Sequence, residues 1–226
     1  ASHFINTVSP TFLKEIVGGQ HNVVPGNIRW EVQQKFNSGC AFGVLNSPSP
    51  EYSPGTDPAL PHRYGPDNHV KAKQLNKLIF QKRLGLRRNA EAPIFFWPSR
   101  LDPIQKGPQL LSDILYQIIS AYWDEELQVA IVANGAYKQI FRDIVRHHDF
   151  YDRVAVCDFD EELSHLGYAA ADYMLMPSSF EPCGLPQMIS CIYGTLPVVH
   201  DTGGLHDTVE HLDLARGSGN GFVFNV

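Results

Sequence analysis

Between residues 70 and 226, apolar positions recur with a helical period and alternate with short, wholly apolar runs. The strongest helical pattern covers residues 108–123, where one face carries Leu110, Leu111, Ile114, Leu115, Ile118, Ile119 and Tyr122. Weaker versions of the same pattern predict helices over residues 71–84, 137–147, 160–170 and 206–212.

The short apolar runs predict buried strands at residues 94–97, 127–132, 153–157, 173–176 and 196–199. These runs are apolar throughout rather than alternating, which is typical of a parallel sheet that helices cover on both faces. Strand, loop and helix follow one another repeatedly along this part of the chain. The pattern therefore predicts the α/β class and a doubly wound, Rossmann-like parallel sheet.

The first 69 residues do not show this regular alternation of strand and helix patterns. A short strand is predicted before Ser9-Pro10, and a helix is predicted to begin at Thr11. Residues 17–69 hold much of the proline, and within them only residues 40–45 resemble a strand. We therefore expect residues 1–69 to be the end of one domain followed by a connector without packed core elements, and residues 70–226 to be a second domain.

Composition narrows the classes of function. The 226 residues are 43% hydrophobic and 19% charged, as in an ordinary globular protein, and the net charge of −6 argues against nucleic acid as a partner. No apolar stretch is long enough for a membrane span, and no signal-peptide pattern is present. The four cysteines show neither CxxC pairing nor zinc-like spacing, so we expect a reduced, cytoplasmic protein without a metal.

The most informative stretch is the loop at residues 178–186. It follows the apolar run at 173–177 and leads into a helical stripe at Leu185, Met188, Ile189 and Ile192. Glu181 therefore lies between the end of a strand and the start of a helix. In an open α/β sheet this crevice beyond the carboxyl ends of the strands binds ligands, and a helix N-terminus favours an anion.

Three further loops follow strands on the same edge and carry Arg100 with Lys106, Phe159, and the pair Gly203-Gly204. Taken separately, the two cations are consistent with surface salt bridges, Phe159 with a ring packed in the core, and the glycine pair with a plain turn. Together with Glu181 they offer cations, a carboxylate, an aromatic face and open backbone. That combination suits a nucleoside diphosphate joined to a group that carries hydroxyls.

Several common motifs are missing from the sequence. No GxGxxG follows a strand, no GxxxxGK[ST] is present, and no GxSxG elbow occurs. These observations argue against a dinucleotide cofactor, a P-loop nucleotidase and a serine hydrolase. We expect no cofactor.

Three stretches closely resemble bacterial glycogen synthases and plant starch synthases: Ser178-Ser179-Phe180-Glu181-Pro182-Cys183-Gly184-Leu185, Tyr193-Gly194-Thr195-Leu196-Pro197 and Thr202-Gly203-Gly204-Leu205. The likeness extends over most of the chain. These families are retaining GT-B glucosyltransferases with two Rossmann-like lobes and the nucleotide sugar between them. The resemblance implies that this chain is a fragment: the end of the first lobe, the connector and most of the donor-binding second lobe.

The resemblance also implies roles for individual residues. Arg100 and Lys106 would contact the diphosphate, and Glu181 would face the sugar; these three are the expected catalytic residues. The expected substrate-binding residues are Phe159 under the base, Cys183, Gly184 and Leu185 around the sugar, and Thr202, Gly203 and Gly204 near the phosphates. A departing nucleoside diphosphate needs positive charge more than a donated proton, which agrees with two cations there.

By the same resemblance, the donor is ADP-glucose, the acceptor is an α-1,4-glucan, and the missing N-terminal lobe is required for transfer. Asn46-Ser47-Pro48-Ser49, Ser179 and Pro186 depart from the family pattern. These departures leave two alternatives open: a related glycosyltransferase that uses a UDP- or GDP-sugar, and a non-catalytic module that binds nucleotide or glucan. The isolated chain is expected to bind nucleotide weakly and to transfer no glucose.

Overall fold

A computed structural model describes residues 2–226 and contains two parallel sheets. The smaller sheet belongs to an N-terminal unit that consists of β1 (Ile5–Thr7), α1 (Pro10–Val17), α2 (Gly26–Asn37) and β2 (Ala41–Gly43). The start of α1 is set by Ser9, whose hydroxyl accepts a hydrogen bond from the Phe12 N–H at 2.9 Å. Pro10 follows as the first helical residue, where its missing N–H costs nothing.

The larger sheet follows the helix α3 (His69–Leu84). Its elements are, in chain order, β3 (Ile94–Arg100), α4 (Pro108–Ala121), β4 (Gln128–Asn134), α5 (Lys138–His148), β5 (Val154–Cys157), α6 (Glu161–Ala170), β6 (Tyr173–Met176), α7 (Pro186–Ile192), β7 (Leu196–His200), α8 (Gly203–Thr208) and β8 (Phe222–Phe224). All six strands run parallel in the order β5-β4-β3-β6-β7-β8. The prediction of a doubly wound α/β sheet is confirmed. The strand order reverses between β3 and β6, which is where such sheets bind ligands.

Helices cover both faces of the larger sheet, and β4 shows why its strands are apolar throughout. Ala130 and Val132 belong to one buried cluster, which Phe80 of α3 and Leu166 of α6 also join. Their neighbours along β4 point to the opposite cluster, with Leu115 of α4 and Phe141 of α5. Alternate side chains of residues 129–133 thus enter different cores, and these five positions are all apolar, whereas the polar Gln128 and Asn134 stand at the two ends of the strand.

Two predicted elements differ most from the structure. The strand predicted at residues 94–97 extends to Arg100, through Pro98, because β3 pairs with β6 only at Phe95 and Phe96 and with β4 alone beyond them. A proline is tolerated where a strand has lost one of its neighbours. The helix predicted at residues 206–212 lies earlier, as α8, and includes both glycines of Gly203-Gly204.

The predicted connector at residues 17–69 is more structured than its composition indicates. It contains α2, which has no buried residue and exposes Trp30, so its sequence shows no core-facing stripe. Leu60 and Tyr64 lie in the core beneath the larger sheet, and the Tyr64 hydroxyl donates to the Tyr193 carbonyl oxygen at 2.7 Å. The prediction that this segment lacks core residues is wrong, whereas the domain boundary at residues 69–70 stays a prediction.

A helix that crosses a membrane must be long and apolar over most of its length. Within residues 2–226, no helix combines the length and the apolarity that crossing a membrane requires.

Candidate active site

A cleft of about 490 Å³ opens at the switch point of the larger sheet, between the carboxyl ends of β3 and β6. Its walls come from the ends of β3, β4 and β6, from the loops that follow strands, from helix α6 and the start of α7, and from one residue of the connector. The lining includes Tyr52, Trp97, Arg100, Lys106, Asn134, Phe159, Glu161, His165, Tyr168, Ser178 and Pro186. Three residues predicted from the sequence, Arg100, Lys106 and Phe159, therefore lie around one hollow.

The loop after β3 is in close backbone contact with the loop after β6. The Asp102 carboxylate accepts hydrogen bonds from two backbone N–H groups of its own loop, each at 2.9 Å. Gly107 has a φ of 64°, and a Cβ at this position would lie 2.1 Å from the Pro177 carbonyl oxygen. The Ser179 N–H donates to the Gln105 carbonyl oxygen at 2.8 Å. Only glycine permits this approach, which brings the cationic loop next to Glu181.

Lys106 lines the cleft and forms an ion pair with Glu181, which itself lies outside the cleft lining. Lys106 Nζ lies 2.5 Å from Glu181 Oε2, and the two side chains are only 15% and 8% exposed. The Ser178 hydroxyl adds a longer hydrogen bond to the same carboxylate oxygen, at 3.3 Å. A buried carboxylate between a cation and a hydroxyl is held in one orientation, because both of its partners come from fixed loops.

Arg100 and Phe159 present free surface to the same cleft. Within residues 2–226 the Arg100 guanidinium takes part in no ion pair, so its charge is open to an anion. Phe159 is 51% exposed and stands between the end of β5 and the start of α6. Asp160 fixes that start by accepting a hydrogen bond from the Leu163 N–H at 2.7 Å. An exposed ring on a fixed turn suits stacking against a flat ligand.

Cys183, Gly184 and Leu185 lie beyond this cleft lining, in the last part of the Glu181 loop. Cys183 is buried, and Leu185 is 38% exposed. Gly184 has a φ of 73°, and the Gln187 side chain donates to the carbonyl oxygens of Cys183 and Gly184 at 3.0 and 2.9 Å. These bonds fix the turn into α7. That the three residues surround a sugar stays a prediction.

The stretch Thr202-Gly203-Gly204 has partners inside the protein. The Gly203 N–H and the Thr202 hydroxyl both donate to Glu15 Oε1, at 2.8 and 3.1 Å. The Gly204 N–H donates to the Glu181 carbonyl oxygen at 2.9 Å. A Cβ on Gly203 would lie 2.0 Å from that same oxygen. The glycines thus allow α8 to pack against the Glu181 loop, and their approach to a phosphate stays a prediction.

The sequence did not single out a network behind the cleft wall. Asp57, which is 1% exposed, holds His165 Nδ1 at 2.7 Å and accepts from the Tyr193 hydroxyl at 2.5 Å, both through Oδ2. The His165 ring stacks on Tyr52 with centroids 5.0 Å apart, and both rings line the cleft. A contact between residues 108 positions apart leaves no local sequence signal.

The pKa values in this network follow from burial and hydrogen bonding. Burial alone would raise the pKa of the Asp57 carboxyl, but hydrogen bonds from Tyr193 and His165 hold it below its usual value. Burial, followed by the hydrogen bond to Asp57, raises the pKa of Tyr193. Asp57 is therefore a carboxylate at neutral pH and fixes the orientation of the His165 ring in the cleft wall.

Fold and site together define a class: a Rossmann-like lobe whose switch-point cleft is lined by Arg100, Lys106 and the exposed ring of Phe159. The sequence profile of the family described as "Glycosyl transferases group 1" matches residues 92–225, which is more than half of the chain. The chain belongs to this glycosyltransferase family.

Comparison with individual proteins of this family narrows the resemblance to glycogen synthases. A glycogen synthase of Nitrosospira multiformis is 40% identical over 226 residues, which is 98% of this chain and 43% of that protein. A glycogen synthase of Bacillus subtilis is 34% identical over 230 residues, which is 100% of this chain and 45% of that protein. The resemblance noted in the sequence is confirmed, and the chain spans less than half the length of these relatives.

Solved structures support the same fold. The catalytic domain of starch synthase IV from Arabidopsis thaliana, bound to ADP and acarbose, is 31% identical with a TM-score of 0.83 and is matched over 100% of this chain and 45% of its own. The Anabaena protein HepE in complex with UDP is 18% identical with a TM-score of 0.61, over 99% of this chain and 50% of its own. The second likeness concerns the fold alone.

Proposed function

We propose that the full-length protein containing this chain transfers glucose from ADP-glucose to the non-reducing end of an α-1,4-glucan, in glycogen or starch synthesis. The observation that carries the proposal is the grouping of Arg100, Lys106 and Glu181 at the switch point of the sheet, beside the exposed Phe159. The glycogen synthase relatives, and the ADP bound to starch synthase IV, favour this donor and this acceptor.

The chemistry of the leaving group explains the two cations. Breaking the bond between glucose and the diphosphate builds negative charge on the phosphate oxygens. Arg100 and Lys106 are held beside the cleft by the loop after β3, so their charges need no reorganisation when the bond breaks. Arg100 offers a planar fork of donors that suits phosphate oxygens, and Lys106 acts as a point charge.

The ion pair between Lys106 and Glu181 gives Glu181 a second role in the proposal. A bound diphosphate competes for the Lys106 ammonium group and weakens its bond to Glu181. The carboxylate is then free to accept hydrogen bonds from sugar hydroxyls and to stabilise positive charge at the sugar carbon. One contact thereby connects the arrival of the donor to the availability of the carboxylate.

The remaining assignments follow the same family pattern. Phe159 stacks on the base of the nucleotide, Cys183, Gly184 and Leu185 border the sugar, and Thr202, Gly203 and Gly204 lie on the phosphate side. The acceptor glucan binds between this lobe and the N-terminal lobe, which the relatives' greater length implies. We place the reaction in the cytoplasm.

Glucose transfer by the full-length protein tests the proposal. We expect incorporation of labelled glucose from ADP-glucose into glycogen, and a loss of about a hundredfold or more in Glu181→Gln, as for a removed electrostatic contact in an active site. Glu162→Gln is the matched control, because Glu162 is an exposed residue of α6 that pairs with Arg83. It should retain full activity.

Other outcomes decide against the proposal. Faster transfer from UDP-glucose or GDP-mannose would assign the protein to a related glycosyltransferase. Nucleotide binding without transfer from any of the three donors would make it a non-catalytic binding module. Unchanged transfer in Glu181→Gln would remove the proposed role of that carboxylate.

A further inference from the structure

A buried carboxylate, that of Glu15, joins helix α1 of the N-terminal unit to helix α8, which follows β7 of the larger sheet. Glu15 is 8% exposed, although it lies on a short helix of a small unit. Its Oε1 accepts two hydrogen bonds from the start of α8, from the Gly203 N–H at 2.8 Å and the Thr202 hydroxyl at 3.1 Å. Its Oε2 lies 2.9 Å from His21 Nε2. Both oxygens are thus engaged.

These partners of Glu15 reach Glu181 from two directions. On one side, the Gly204 N–H, next to Gly203, donates to the Glu181 carbonyl oxygen at 2.9 Å. On the other side, the His21 ring lies against Phe180 with centroids 5.5 Å apart. Phe180 directly precedes Glu181 in the chain. Glu15 therefore contacts the residue before Gly204, which is bonded to the Glu181 carbonyl oxygen, and the His21 ring, which packs against the residue before Glu181.

A second contact between the same helices provides a comparison. The Asp207 carboxylate, near the end of α8, accepts hydrogen bonds from the Thr11 N–H at 3.0 Å and the Thr11 hydroxyl at 2.7 Å. This contact also joins α1 to α8, but within residues 2–226 neither side chain forms a hydrogen bond with the Glu181 loop. Loss of docking between the helices can thus be separated from loss of support for Glu181.

We infer that Glu15 is a positioning residue for Glu181. It fixes the Thr202-Gly203 turn and the His21 ring, and these hold the Glu181 backbone so that its carboxylate reaches Lys106. Placement of the N-terminal unit is thereby linked to the geometry of the cleft. The effect on catalysis rests on the proposed function, whereas the effect on the Glu181 loop does not.

This role requires a side chain at residue 15 that is long enough to accept both hydrogen bonds from the start of α8, and it does not require a negative charge. A glutamine has the same length, and its amide oxygen can accept both hydrogen bonds that Glu15 Oε1 now accepts. An aspartate keeps the charge but is one methylene shorter, so it cannot keep both bonds. An alanine removes all of them. The proposal thus predicts the order glutamate, glutamine, aspartate, alanine for support of the Glu181 loop.

Amide hydrogen exchange of Gly204, measured by NMR on this chain, tests the inference. We expect exchange at Gly204 to be about tenfold faster in Glu15→Ala, as the loss of one or two hydrogen bonds implies, and less than about threefold faster in Glu15→Gln. Asp207→Ala should leave Gly204 unchanged. The fully buried Ile131 of β4 reports global unfolding in each variant.

If Glu15→Ala does not fold, Glu15→Asp and Glu15→Gln decide the question. Faster exchange in Glu15→Gln than in Glu15→Asp would overturn the inference, as would unchanged exchange in Glu15→Ala or an equal effect of Asp207→Ala.

The second readout is steady-state transfer by the full-length protein. We expect Glu15→Ala to lower kcat about tenfold with KM for the donor within about threefold, because positioning acts on the reacting geometry rather than on donor affinity. Glu15→Gln should restore most of kcat. A larger change in KM than in kcat would contradict the positioning role. If wild type transfers no glucose, the proposed function fails, and the Gly204 measurement still tests the role of Glu15.

Discussion

The ammonium group of Lys106, which lines the cleft, lies 2.5 Å from the Glu181 carboxylate just beyond the lining, and both side chains are largely buried. The cation proposed for the diphosphate and the carboxylate proposed for the sugar therefore share one contact. A ligand that carries negative charge must compete with Glu181 for Lys106. This competition leads to a prediction that a purely structural salt bridge would not make.

Glu181→Gln should bind ADP more tightly than the wild-type chain, while losing transfer in the full-length protein. Removing the negative charge frees Lys106 for the diphosphate. Two unit charges about 4 Å apart interact by about 1 kcal/mol in water, so we expect binding to tighten by at least about three- to tenfold. Calorimetric titration of both chains with ADP measures the change. Lys106→Ala should bind ADP more weakly than either chain. Weaker binding in Glu181→Gln would contradict the competition.

Phe159→Ala should weaken ADP binding about tenfold with little loss of stability, since stacking of a base on an aromatic ring contributes about 1–3 kcal/mol. Phe159 is 51% exposed, so its removal leaves no cavity in the core. Tyr151→Ala is the matched control, because Tyr151 is 59% exposed but lies outside the cleft. Equal affinities of the two variants would exclude Phe159 as the stacking surface.

Asp57→Asn should destabilise the chain by about 2–3 kcal/mol at pH 7, the range for hydrogen bonds to a buried charged group. The pKa of Asp57 is lower in the folded chain than its ordinary value. Its stabilising contribution is therefore complete above pH of about 4, near the unfolded pKa, and is lost as the pH falls through the folded pKa. Urea unfolding at several pH values should show the difference shrinking in acid.

Asp143→Asn is a control for that experiment. Asp143 is 48% exposed and pairs with Arg146 on the surface of α5, so its replacement should change the free energy of unfolding by less than about 0.5 kcal/mol. A difference between wild type and Asp57→Asn that is independent of pH would show that the Asp57 charge contributes no stability.

The larger sheet could be predicted because its signals are local. The side chains of residues 129–133 in β4 alternate between two cores, so this run is apolar throughout. Helix α4 buries Leu111, Leu115 and Ile119 at helical spacing. The helix α2 could not be predicted in this way, because Ile28 and Trp30 are exposed rather than packed against a core. Periodicity reports burial, and a helix that buries nothing leaves no period.

The residues of the candidate site also fall into two groups: those that the strand topology brings together, and those that depend on contacts between distant parts of the chain. Arg100, Lys106 and Phe159 follow strands on one edge, so the topology alone brings them together. The roles of Glu15 and Asp57 depend on contacts across 188 and 108 residues, which no local pattern records. The Gly203-Gly204 pair packs against the Glu181 loop, a contact that the sequence did not predict, and its approach to a phosphate stays a prediction.

The most direct test of the account is NMR mapping of ADP binding on this chain. We expect ADP to shift the amide signals of Arg100, Lys106 and Phe159, and expect Arg100→Ala to weaken binding by about tenfold or more. Signals around Lys73, in a separate hollow beside α3, should not move. Shifts around Lys73 without shifts at Arg100 and Lys106, or no saturable binding at all, would contradict the proposal that this cleft holds the nucleotide.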